Sequence, residues 1–257
     1  MAELRSMRTA AGTRTTAQID EGLRAHMNKV YSTMSVGLVV TALVAWAIGT
    51  MTVSSVPTEY MLREGQYLTQ LGYSLFASPL KWVIMFLPLV MVFAFGAAVN
   101  RLSAAGAQLF FYVFAAAMGL SISWIFVVFT GISITQTFLI TAIAFAGLSL
   151  WGYTTKKDIS GWGAFLIMGL IGLIVASIVN IFLGSPALHF AVSVIGVLIF
   201  AGLTAYDTQK IKVDYIQHAH AMDGEWLAKS AIMGALNLYL DFINLFMFLL
   251  QFLGNRE

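Results

Sequence analysis

Seven mainly apolar stretches, each about as long as a helix needs to cross a bilayer, fill most of this 257-residue chain. They run over 31–52, 81–99, 106–129, 134–154, 162–183, 187–208 and 231–253, with ends placed to ~3 residues. Asn100-Arg101, Gly131, Lys156-Lys157-Asp158 and Gly184-Ser185-Pro186 separate them. The residues are 59% hydrophobic and 10% charged, against about 25% charged in a soluble domain. The surface that would carry the missing charges therefore faces lipid. The expected fold is an all-α polytopic membrane protein with seven transmembrane helices in one bundle over 30–257.

Residues 1–29 form a polar tail holding Arg5, Arg8, Arg14, Arg24 and Lys29. No small-residue cleavage site follows, so the first span is read as retained rather than as a signal peptide. Ile19, Leu23, Met27 and Val30 recur at helical spacing, which suggests a short interfacial helix leading into the membrane; for residues 1–17 a disordered basic tail is an equal alternative. Basic residues orient the bundle. With the N-terminus cytoplasmic, eleven basic residues lie inside: the five above with Arg101, Lys156, Lys157, Lys210, Lys212 and Lys229. Only Arg63, Lys81 and Arg256, three in all, lie outside. The segment 53–80, with Pro57, Glu59, Glu64 and Pro79, is the one sizeable external loop. Compact loops and the lack of organelle-retention signals suggest a bacterial inner membrane.

A net charge of +2 gives no footing for nucleic acid. Zero cysteines exclude disulfides and thiolate metal sites. Small residues four apart, Gly119 with Ser123, Ala142 with Ala146 and Gly172 with Ala176, are candidates for close helix packing. Pro88 lies inside the second span, where neighbours are expected to satisfy the carbonyl it frees.

Polar residues inside the spans carry the functional signal. Asp241 sits near the middle of the last one, where a carboxylate costs about 2.5–3.5 kcal/mol on insertion scales, so it should face the bundle interior or water. Asn237, four residues earlier, and Asn244, three later, share its face, and Gln251 continues the stripe. Such a stripe suits the central helix of a bundle or the wall of a pathway, and equally a set of interhelical hydrogen bonds that only hold the bundle together. Asp207 ends the sixth span with Thr204 and Thr208 on its face. It is either a functional carboxylate or an interfacial residue paired with Lys210 or Lys212. Arg101, at the cytoplasmic end of the second span, is another candidate partner. Ser149, Tyr153 and Asn180 are weaker candidates for lining the interior.

The segments AYDTQKI (205–211) and LYLDFINLF (238–246), together with HMNKVYSTM (26–34) and the NRL turn at 100–102, resemble the Bax inhibitor-1, or transmembrane Bax-inhibitor-motif, family over residues 24–255. The resemblance implies seven helices with the last surrounded by the others. It also implies pH-sensitive calcium leak activity or cell-death suppression, and, among bacterial members, modulation of a membrane-bound protease. By the motif, Asp207 and Asp241 resemble the family's paired carboxylates, the pH sensor, and Arg101 resembles the arginine that latches to the sixth-span aspartate. One departure is the long connection over 209–229 carrying His218, His220, Asp223 and Glu225.

Two carboxylates in a low-dielectric interior cannot both ionise cheaply and tend to share a proton. Ionised, they offer the hard oxygen ligands calcium prefers. Counted along the spans, however, Asp207 lies near the interface and Asp241 about ten residues deep, an offset of up to ~15 Å. The leading expectation is a pH-gated calcium leak needing no cofactor, with calcium, protons and lipid as its partners. A membrane interaction protein that modulates a membrane-bound protease or a stress or cell-death pathway is the alternative. Missing GxGD, HExxH, GxSxG and P-loop patterns argue against an enzyme.

Overall fold

The computed structural model describes residues 16–63, 65–218 and 223–255. Arg5, Arg8, Arg14, Glu64, His220 and Arg256, used in the reading above, lie outside them. Among the described residues seven helices are long and apolar enough to cross a membrane. We number them α1 (Thr16–Thr52), α2 (Leu80–Ala98), α3 (Ala104–Ile122), α4 (Gly131–Thr154), α5 (Trp162–Leu183), α6 (Pro186–His218) and α7 (Gly224–Leu253). A short turn, Ile125–Val128, extends α3.

Their outward faces are those of lipid-exposed helices. Ile181 and Phe182 of α5 are 78% and 85% exposed, Ile143 of α4 is 75% exposed, and Phe93 of α2 is 72% exposed. A soluble monomer rarely shows a continuous apolar surface of this kind. α7 is the reverse case. Of its apolar window 61% is buried, against 11–39% for the other six spans. It packs directly on α6, α1, α4 and α3, and Leu245 and Leu249 join a cluster with Leu166 and Leu173 of α5. The last helix is thus the core of the bundle, while α2 packs mainly on α3 and holds an outer position.

The N-terminal part of the chain departs from the sequence reading. Residues 16–29 form no separate interfacial helix. They are the first turns of α1, which runs unbroken to Thr52. Leu23, Met27, Val30 and Met34 recur at helical spacing because they are buried in the main core, at 5%, 3%, 0% and 4% exposure. Protein, rather than a lipid surface, covers this stripe.

The connection over 53–80 is more structured than a loop. Val53–Ser54, Tyr60–Arg63 and Gln66–Leu68 form an antiparallel sheet in the order β1-β3-β2, with Val53 opposite Leu68 and Tyr60 opposite Leu68 on its other side. Gly65, at φ 77°, makes the tight turn between β2 and β3. The Thr69 hydroxyl accepts from the Gly72 amide, and a π-helical turn over Tyr73–Ala77 leads into α2. Tyr73 stacks on Tyr60 at 4.1 Å.

The connection over 209–229 also changes character. α6 continues to His218 and α7 begins at Gly224, so most of that segment is helix. Its polar residues serve as end groups. Asp223 caps α7 by accepting from the Trp226 amide at 2.8 Å. His218 hydrogen-bonds through Nδ1 to the Asp214 carbonyl at 2.9 Å. Glu225 accepts from the Ala104 amide at 2.8 Å and lies 3.7 Å from Lys229.

Candidate functional site

The residues of the α7 motif point to different neighbours, as they must on a central helix. Tyr239 is fully buried. Its hydroxyl meets that of Thr41 on α1 at 2.6 Å, and the Thr41 hydroxyl donates to the Ala115 carbonyl of α3 at 2.8 Å. Its ring stands edge-on to Phe111 and Phe114 of α3, at 5.5 and 5.7 Å. Phe242 makes the same kind of contact with Phe138 and Phe145 of α4, at 5.5 and 5.4 Å. Two residues from Tyr239, about 200° around a helix, Asp241 turns to α6.

The α6 motif works the same way. Gly152 of α4 lies against the Ala205 carbonyl, so close that an added Cβ would overlap it. The Thr208 hydroxyl meets that of Ser149 at 2.9 Å, and Ser149 in turn meets the Tyr31 hydroxyl of α1 at 2.7 Å. The Gln209 amide clamps the α4–α5 connection: its oxygen accepts from the Ile159 amide at 2.9 Å and its nitrogen donates to the Lys157 carbonyl at 2.8 Å. Lys212 donates to the Tyr153 carbonyl at 2.7 Å and lies 5.4 Å from that ring's centre. In the same connection Asp158 accepts from the Ser160 amide at 2.9 Å, and these bonds hold its carboxyl below the usual carboxylate range.

Between these anchors Asp207 of α6 and Asp241 of α7 are neighbouring carboxyls, near enough to influence each other's charge. Asp241 is 4% exposed, and its Oδ2 has no hydrogen-bond partner. Asp207 is half-buried, with Lys210 as its charged neighbour on the same helix. The ~15 Å offset shrinks to about 9 Å, six residues of helix, because both helices are longer than their apolar cores. Asp207 is eleven residues from the end of α6 (218 − 207) and Asp241 seventeen from the start of α7 (241 − 224). Two neighbouring carboxyls in a buried setting cannot both ionise cheaply and tend to share a proton. Among the described residues no third His, Asp or Glu completes a metal cluster there.

The other expected site residues are placed differently. Arg101 is exposed in the α2–α3 turn, and no ion pair joins it to Asp207. The Ala104–Glu225 bond puts that turn beside the start of α7, sixteen residues (241 − 225) from Asp241, about 24 Å along the helix. Thr204 is buried but donates to the Phe200 carbonyl of its own helix at 2.8 Å. Asn244 likewise donates to Leu240 at 2.8 Å. Asn237 is half-buried. Asn180 caps the end of α5, where its side chain accepts from the Ser185 amide at 3.0 Å. The clamp by Gln209 and the reach of Tyr31 to Ser149 were not foreseen, although Gln209 lies within the quoted motif.

Residues 23–257 match the family described as inhibitor of apoptosis-promoting Bax1. An uncharacterized protein of Caulobacter vibrioides is 45% identical over 97% of this chain and 96% of its own length. The inner membrane protein YbhL of Escherichia coli is 44% identical over 92% of this chain and 94% of its own. A Rickettsia prowazekii protein is 43% identical over 93% and 92%.

Proposed function

This chain belongs to the Bax1-inhibitor family of membrane proteins, and from that membership we propose that it is a pH-sensitive cation leak, favouring calcium, in a bacterial inner membrane. The observation that carries the reading is the placement of two neighbouring aspartates, Asp207 and the buried Asp241 with its unpartnered Oδ2, between the central helix and its most extensive neighbour. With both carboxyls ionised, the pair presents hard oxygen donors to a divalent cation. With a proton shared between them, that charge is reduced and one oxygen is occupied. Two carboxylates fall well short of the six to eight oxygens calcium takes in a closed site, which suits passage rather than storage.

The arrangement of basic residues supports a cytoplasmic N-terminus. Arg101, Lys156 and Lys157 lie in connections at the end of the bundle where α1 begins, and Lys210 and Lys212 lie in the extension of α6 at that same end. The inner-membrane assignment follows the Escherichia coli relative. The test is calcium flux by purified protein in sealed liposomes across a pH series. Flux that varies with pH and is altered by Asp207→Asn supports the leak. A folded, inserted protein that passes no calcium would leave modulation of a membrane-bound protease as the better reading.

A further inference from the structure

α1 and α4 are joined by the Tyr31–Ser149 hydrogen bond, but beyond it they stand apart. The cleft between them has a volume of about 1010 Å³ and is floored by Phe145 and Phe242. Ala142 and Ala146 line it instead of bringing two helices together, as their spacing had suggested. The contrast with Gly119 is plain, since its added Cβ would come within 2.6 Å of the Thr41 carbonyl. From Tyr31 to Trp46 the apolar wall of α1 is fifteen residues long (46 − 31), about 22 Å. Half of a ~30 Å hydrocarbon core is ~15 Å, so the cleft holds the acyl chain of one leaflet along its full length. The end of the cleft beyond Tyr31 is polar and cationic, formed by Arg24 and Asn28.

We propose that this cleft binds one anionic phospholipid, with an acyl chain between α1 and α4 and its headgroup phosphate on Arg24. Charge decides the headgroup: a guanidinium takes a phosphate bidentately, while a zwitterionic lipid brings a second cation to the same place, and the cleft holds no acidic side chain to receive it. Size decides against a transmembrane helix of another protein. A helix about 10 Å across and 30 Å long occupies about 2400 Å³, more than twice the cleft.

Native mass spectrometry of the full-length protein, titrated with phosphatidylglycerol or phosphatidylcholine of identical chains, tests this. The wild type should hold one phosphatidylglycerol per chain, with about a fivefold preference over phosphatidylcholine, as one arginine beside an anionic headgroup provides. Arg24→Ala should equalise the two lipids. Ala146→Phe, which fills the cleft, should remove the adduct, while Ile143→Phe on the exposed face of the same helix should keep it. Should Ala146→Phe fail to fold, Ala42→Phe from the opposite wall makes the same test. Equal binding of both lipids by the wild type, or an adduct that survives filling of the cleft, overturns the proposal. So does a protein dimer that the filling variants dissociate.

Discussion

Replacing Gly152 with alanine adds one methyl group at the point where α4 crosses α6. An ideal Cβ there would overlap the Ala205 carbonyl and crowd the Ala205 backbone behind it at 3.0 Å. Backbone cannot turn aside as a flexible side chain can, so the two helices must separate. Overpacking of this kind costs about 1–3 kcal/mol, and for a chain of this size each kcal/mol moves the melting temperature about 2–4 °C. The apparent melting temperature in detergent should therefore fall by roughly 2–12 °C. Gly172→Ala is the matched control, because nothing lies within 4 Å of the added Cβ. It should melt at the wild-type temperature or up to about 2–4 °C above it, since alanine is the better helix former by about 1 kcal/mol. If Gly152→Ala and Gly172→Ala prove equally stable by size-exclusion thermal scans, the close approach of α4 to α6 is wrong.

Tyr239→Phe removes the hydroxyl between α7 and Thr41 but leaves Thr41 bonded to Ala115. It should cost only about 0.6–1.7 kcal/mol, seen as a small drop in melting temperature with the fold intact. Arg101→Ala should leave the basal calcium leak at neutral pH unchanged, because Arg101 is exposed and makes no ion pair with Asp207. A raised leak would restore the arginine latch. Reporter fusions at residues 10 and 257 should place the N-terminus in the cytoplasm and the C-terminus outside. Both ends on one side would break the seven-span topology.

Apolar run lengths made the seven spans legible, because each needs about 20 residues to cross the membrane, and α5 matches its expected range of 162–183 residue for residue. Sequence could not show where a helix continues past the hydrocarbon. α6 runs to His218 on residues such as Lys210, Lys212 and Asp214, which read as loop by hydropathy but are good enough helix residues in water. That extension, with the early start of α7, brought the depths of Asp207 and Asp241 closer together. Helical periodicity put Asn237, Asp241 and Asn244 on one face correctly. It could not tell a side chain that reaches a neighbour from one, like Asn244, that bonds back to its own helix. The small-residue pairs were equally ambiguous. Gly119 packs tightly, the alanine pair lines a cleft and Gly172 meets nothing nearby, because the motif permits close approach without compelling it. Arg101 had no tertiary signal in the sequence beyond its span end, and the α2–α3 turn carries it to the far end of the central helix.

The central claim is that Asp207 and Asp241 titrate as one unit that sets calcium passage. The direct measurement is calcium flux into liposomes from about pH 5 to 8 for the wild type, Asp207→Asn, Asp241→Asn and the double variant. Each asparagine keeps the shape of the side chain and removes its charge. Because coupled carboxyls share one proton, either single substitution should flatten the pH profile or move it to lower pH. The double variant should do little more than either single, since the unit is already broken. Single variants that keep the wild-type profile would show that these aspartates are not the sensor. Single effects that add in the double variant would show two independent groups, and the contact between α6 and α7 would then have no bearing on gating.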